Sequence, residues 1–190
     1  MKMIATLQVI LLLSFVLSFA AESAELEHSQ ILPLAAELQK GMPWFAARTR
    51  DATKPFTKKD LESLVGQQTK RVALVFFASW CIPCREGVIR LRDNQAELDK
   101  NGMLVVLVNV GETELPKIEN WIKTNGNEKW PVILDKFKSL SQKTGLISDL
   151  DTEFIFPKTI LLDNQLKPVL LIGAEGKDWP RVLWEYNLAK

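Results

Sequence analysis

An α/β fold, with a central mixed β-sheet flanked by helices on both faces, is predicted by three observations. Short apolar runs at 72–78 and 103–108 lack polar alternation, as strands covered on both faces require. Between and beyond them lie segments whose apolar residues recur near every 3.6 positions, the period of an amphipathic helix. Two further apolar runs, at 159–162 and 169–172, are separated by a turn-forming Asp163-Asn164-Gln165, close enough to pair as an antiparallel hairpin.

The first twenty residues carry one charge, Lys2, then an apolar-rich stretch from Val9 to Leu17 and small residues at Ser18 and Ala20. This is the layout of an export signal, with cleavage after Ala20. A retained membrane anchor is the alternative, because the 17 residues from Ile4 to Ala20 reach the lower end of the roughly 17–25 needed to span a bilayer. Residues 21–40 read as a polar leader with one short helix around Leu34 to Leu38 and the only histidine, His28, to which no function is assigned. Residues 41–190 then make one domain, a length at which a single hydrophobic core suffices. Without Lys2 the chain has 23 Lys and Arg against 23 Asp and Glu. No global field therefore favours nucleic acid, and contact with a membrane is confined to residues 1–20 if they stay attached.

Thr57-Lys58-Lys59-Asp60 resembles a helix start, with Leu61 and Leu64 on one face. The run Val72 to Ala78 is the first strand and ends directly on Trp80-Cys81-Ile82-Pro83-Cys84. Cys84, Val88, Leu91 and Leu98 share the helical period, so one helix is expected from about 82 to 100, stopped by Asn101-Gly102. Met103 to Val108 is the second strand. Thr113 begins another helix in which Pro116 sits in the first turn and Leu115, Ile118, Trp121 and Ile122 face one way. Val132 to Leu134 is a short strand, Ser139 to Lys143 a weak helix, and the hairpin follows. Asp178 is placed to cap a last helix whose stripe is Trp179, Val182, Leu183 and Tyr186.

The chemistry concentrates on the two cysteines, Cys81 and Cys84, the only ones in the chain. Positions i and i+3 on a helix have Cβ atoms about 5–6 Å apart, and a disulfide needs about 3.5–4.5 Å, so a small local adjustment closes the bond. Cys81 is the expected nucleophile, because it meets the unpaired N–H groups and positive end of the helix. Cys84, one turn deeper, resolves the mixed disulfide. A free thiol with a pKa of about 8.5 is only ~3% ionised at pH 7, so one or two units of depression make Cys81 competent. Pro83 suits a first helical turn, where its missing N–H is no loss. Three other readings of the pair stay open. One is a zinc half-site, which needs two more ligands; another is a structural disulfide, which in so small a loop stabilises little. The third is a copper site built on two thiolates.

Phe76-Phe77-Ala78-Ser79-Trp80-Cys81-Ile82-Pro83-Cys84-Arg85 resembles the active-site segment of the thioredoxin superfamily, specifically its exported TlpA/ResA/DsbE-type branch. The stretches Val108 to Glu112, Trp130 to Asp135 and Pro157 to Asp163 match the same branch, so the likeness covers roughly residues 41–188. It implies a thioredoxin-like fold and thiol-disulfide exchange with no cofactor beyond the redox-active disulfide and no metal. It makes Pro157 the counterpart of a cis proline lying against the cysteines, with the Phe156 backbone toward substrate and Trp80 beside the reactive sulfur. Trp80, Ile82, Pro83, Phe156 and Pro157 are accordingly the expected substrate-binding residues.

Departures from the pattern leave proton transfer without an inherited group. The buried Asp expected six residues before the first Cys is Val75, the Glu expected three after the second is Gly87, and the helix proline expected five after it is Ile89. Water, Glu86 or Glu112 is expected to serve instead. An insertion at 148–155 carries three acids, Asp149, Asp151 and Glu153, and reads either as a solvated loop or as an acidic lip that selects partners.

The sequence thus predicts an exported enzyme of the periplasm or the outer membrane face. The resemblance implies that it reduces protein disulfides, with apocytochromes c a candidate substrate and a membrane protein a candidate electron donor. A disulfide-forming oxidant is the alternative within redox chemistry, and a metal- or apoprotein-binding module the alternative outside it.

Overall fold

A computed structural model of the chain describes residues 28–44, 56–147, 156 and 158–186. The export segment, the acidic insertion at 148–155 and Pro157 lie outside the described residues. No described helix is long and apolar enough to cross a membrane.

Among the described residues six strands form one sheet: β1 (Gln30–Leu32), β2 (Arg71–Phe77), β3 (Met103–Val110), β4 (Val132–Asp135), β5 (Lys158–Asp163) and β6 (Pro168–Ala174). Their order across the sheet is β1-β6-β5-β2-β3-β4. β2, β3 and β4 run parallel, whereas β5 pairs antiparallel with β2 and with β6. The described helices are α1 (Ala36–Gln39), α2 (Lys58–Leu64), α3 (Ile82–Asp93), α4 (Gln95–Lys100), α5 (Leu115–Asn125), α6 (Ser139–Lys143) and α7 (Trp179–Glu185).

The apolar runs behave as central strands because alternate side chains enter two separate cores. Ala73, Val75 and Phe77 of β2 pack with α3, α4, α5 and α7 through Val88, Leu91, Leu98, Ile118, Ile122, Trp179 and Leu183. Val72, Leu74 and Phe76 point the other way, to Leu38 of α1, Leu61 of α2 and Leu140 of α6. Helices therefore cover both faces, as predicted.

Five local expectations change. The helix expected at 82–100 breaks into α3 and α4 at Asn94, whose backbone (φ −102°, ψ 17°) leaves helical geometry. The next helix begins at Leu115 rather than Thr113, with Glu114 as its N-cap. The start at Thr57 is a capping box, with Thr57 accepting from the Asp60 N–H and Asp60 from that of Thr57, but only Leu61 is buried and Leu64 is exposed. Asp178 does not cap α7 through its side chain. Its carboxylate instead accepts from Ser29 N (2.7 Å) and Ser29 Oγ (2.8 Å) and contacts the His28 ring. That clasp belongs to the fifth change: the segment read as a polar leader contributes β1, an edge strand paired with β6, and the fully buried Leu38. A three-residue strand has too weak a pattern to be seen in a sequence. Its pairing and the Asp178 clasp hold it in place.

Candidate functional site

The cysteines lie where β2 ends and α3 begins, at the carboxyl end of the parallel strands, where open α/β sheets place their ligand sites. The Cys81 N–H donates to the Ala78 carbonyl (3.0 Å), which folds the chain into a tight turn before the helix. Cys81 is the N-cap of α3, in extended conformation. Its Sγ accepts the Cys84 backbone N–H at 3.2 Å, the position a Ser or Asp oxygen occupies in an ordinary cap. The two sulfurs form a disulfide with a Cα–Cα separation of 5.3 Å. Cys81 is 5% exposed and Cys84 1%, so the sulfur aligned with the helix N-terminus is also the one nearer solvent. Pro83 and Ile82 fill the first turn and are both exposed, Ile82 at 60%.

The turn before the cysteines is held by Glu112, just beyond β3. Its carboxylate accepts from Ser79 N (2.6 Å), Ser79 Oγ and Asn109 Nδ2 (2.6 Å), with Lys117 Nζ at 3.7 Å. Glu112 is a candidate general base on sequence grounds, but its oxygens are occupied in clamping the loop. Glu86 is exposed on α3.

Trp80 is 65% exposed and meets Phe156 edge to face, with ring centroids 5.3 Å apart. Phe156 is half-buried between the two cores, just ahead of β5, whose Lys158 is aligned with Phe76. The structure thus brings Cys81, Cys84, Trp80, Ile82, Pro83 and Phe156 to one end of the sheet. Burial lowers the pKa of Lys158. Thr159, the next residue along β5, faces the opposite side of the sheet, and its buried hydroxyl points into the core on the α3 side.

The residue that sequence reasoning passed over is Glu175. It follows β6 directly, is 7% exposed, and accepts a hydrogen bond from Thr159 Oγ1 (2.8 Å) at Oε1. Burial pushes its pKa up to about 8, against the opposing pull of the Thr159 hydroxyl and the Arg90 charge. Among the described residues Oε2 has no hydrogen-bond partner, and neither does the buried Trp179 Nε1. Glu175 packs on Gly87 of α3: a Cβ at Gly87 would collide with Oε2 and come within 2.9 Å of the Trp179 ring. The available signals were its setting between Gly173 and Gly176 at a strand end, and the bare Gly87 where a side chain was expected.

No group of three or more His, Cys, Asp or Glu able to hold a metal ion occurs among the described residues.

Comparison with known proteins agrees with this geometry. The chain is 30% identical over 86 residues to a protein of Bacillus subtilis named thiol-disulfide oxidoreductase ResA, covering 45% of this chain and 46% of that protein. A Bacillus anthracis protein of the same name is 26% identical over 121 residues, 64% of each chain. The chain therefore spans about half to just under two thirds of the length of these relatives. Among solved structures, MTB dsbF superposes with a TM-score of 0.53 at 19% identity, covering 80% of this chain and 97% of that one. A thiol:disulfide interchange protein from Bacteroides sp. gives 0.53 at 16% identity, over 87% and 94%. These likenesses bear on the fold, which is thioredoxin-like. Residues 38–167, well over half of the sequence, match the AhpC/TSA family, and the chain belongs to that thioredoxin-like family.

Proposed function

We propose that the chain is an exported thiol-disulfide oxidoreductase that reduces protein disulfides. The observation that carries this reading is the Cys81 sulfur itself. It caps a 12-residue helix, receives a backbone N–H, and is the more accessible member of a disulfide-forming pair. Once the pair is reduced, the same N–H and the helix dipole stabilise negative charge on Sγ.

Exchange begins when the Cys81 thiolate attacks one sulfur of a substrate disulfide, forming a mixed disulfide and releasing the other substrate sulfur as a thiolate. Cys84 loses its proton and attacks Cys81 Sγ, breaking the mixed bond. The protein's dithiol becomes a disulfide, the substrate's disulfide becomes a dithiol, and two electrons pass between them. Trp80, Ile82 and Phe156 offer an apolar rim against which an extended substrate segment rests, and Pro157 joins them by the family resemblance. Re-reduction in an oxidising compartment requires a thiol donor, for which a membrane protein is the natural class. Apocytochromes c are candidate clients, supported by the resemblance to the ResA-type branch.

Reduction of insulin by dithiothreitol, followed by turbidity, tests turnover: the wild-type chain accelerates it and Cys81→Ser does not. Cys84→Ser should accumulate the Cys81 mixed disulfide with substrate. Equilibration with glutathione or dithiothreitol gives the potential, where about −270 mV supports a reductant and about −120 mV would make the chain an oxidant.

A further inference from the structure

Proton transfer at Cys84 has no assigned group, and the geometry at Gly87 supplies one. Gly87 lies three residues beyond Cys84 on α3, on the same helical face, so the two Cβ positions would be about 5–6 Å apart. The carboxylate of Glu175 occupies the space that a side chain on residue 87 would fill. It arrives there from the opposite direction, off the end of β6, and Thr159 of β5 fixes Oε1 so that Oε2 is the oxygen turned toward α3. We propose that Glu175 is the proton acceptor for the Cys84 thiol when that sulfur attacks the mixed disulfide, and the donor to it in the reverse direction. This rests on the reading of the chain as a thiol-disulfide oxidoreductase.

The balance of the step is simple. The Cys84 S–H proton passes to Oε2, directly or through one water, and the resulting thiolate forms a bond to Cys81 Sγ. The bond from Cys81 to the substrate breaks, and the substrate sulfur leaves with the electron pair. Glu175 later returns its proton to solvent or to the leaving thiolate. At pH 7 only the ionised minority of Glu175, on the order of a tenth, can take the proton. A carboxyl that burial raises to about 8 is nonetheless a far closer match to a thiol than an ordinary carboxylate, and such a match makes an efficient proton acceptor. A carboxylate at the ordinary value of 4.5 would hold that proton roughly three orders of magnitude less well.

Groups from each packed element bear on the carboxylate. Arg90, one turn further along α3, is the charge whose field favours the ionised form. β5 contributes the neutral Thr159, and α7 the neutral Trp179 ring. On the β1 side Gly176 packs against the His28 and Ser29 backbone, while the Asp178 carboxylate is turned to Ser29 and His28. Lys158 neighbours Thr159 in sequence, and alternation along β5 sends its side chain to the other face.

The test uses Glu175→Gln, which has the shape of the protonated carboxyl and can still accept from Thr159. A Cys81 mixed disulfide with thionitrobenzoate is prepared, and its resolution by Cys84 is followed between pH 6 and 10. The variant should resolve at least ~10-fold more slowly at pH 7 and converge on wild type above pH 9, where hydroxide takes the proton. A structural role would lower the rate equally at every pH or leave it unchanged, and either result overturns the proposal. In the unmutated chain, the carboxyl carbon of ¹³C-labelled Glu175 is titrated in the disulfide and dithiol forms. The midpoint should move between the two, and identical curves would overturn the proposal even if the variant failed to fold. Insulin turnover by wild type separates the two readings: turnover with an unaltered pH profile in the variant removes Glu175 alone, whereas no turnover removes the activity and this role with it.

Discussion

Gly87 shows how one missing side chain determines its neighbours. With no Cβ, α3 approaches β6 closely enough for Glu175 and Trp179 to lie against the helix backbone. Gly87→Ala should therefore destabilise the fold by about 1–3 kcal/mol, the usual cost of forcing atoms into a filled site, measured by urea unfolding. Pairing it with Glu175→Ala should recover part of the loss, and a double-mutant cycle measures the coupling. The raised pKa of Glu175 has its own thermodynamic signature. Its folded value of about 8 lies above the ordinary 4.5, so between those limits the native state holds a proton that the unfolded chain has released. Its contribution is complete below about pH 4.5 and falls by about 1.4 kcal/mol per pH unit until about pH 8. Unfolding of wild type should show that decline, and Glu175→Gln should flatten it. Glu112 works differently, through three donors that hold the Ser79 turn. Glu112→Ala leaves the Ser79 N–H and Asn109 amide unpaired and should cost about 1–3 kcal/mol in urea unfolding, with slower insulin reduction as the Cys turn loosens.

At the scale of elements, the parts best read from sequence are those whose signals are local. β2 and β3 are built on the unbroken apolar runs 72–77 and 103–108, α5 has a clear stripe, and Thr57 with Asp60 announces its own cap. The cysteine pair is equally plain, since strand, Trp-Cys-Ile-Pro-Cys and helix follow one another without interruption. β1 is different, because its three residues have no periodicity and acquire meaning only against β6, some 140 positions away. Glu175 is hidden for the same reason: nothing near it in sequence indicates that Thr159 and Gly87 will enclose it. Asp178 looked like a helix cap and serves as a clasp, since Ser29 supplies two donors that a helix start would otherwise have supplied. Burial works to raise the Asp178 pKa, but the Ser29 and His28 contacts outweigh it and hold the carboxyl below the ordinary range. Asp178→Ala should release β1 from β6 at a cost of about 1–3 kcal/mol, seen as faster amide exchange at residues 30–32 before the rest of the sheet.

Across the whole molecule, redox state and stability are one equilibrium seen from two sides. The potential of the Cys81–Cys84 pair differs from that of the unfolded chain by as much as folding favours one form over the other, about 1.4 kcal/mol for each 30 mV. A reductase should have its disulfide form the more stable. Parallel urea titrations of oxidised and reduced protein are expected to give the higher midpoint to the oxidised one, and the reverse order would support the oxidant. The division of β2 between two cores also constrains what the gene can tolerate. Residues 72–77 alternate between the two sides of the sheet, so adding or deleting one codon there would swap which of the two cores each following residue of the strand enters and displace the cysteine turn by about 3.3 Å. Library selection for the proposed thiol-disulfide exchange should recover many point substitutions along this stretch and no frame-preserving insertions or losses of a single residue.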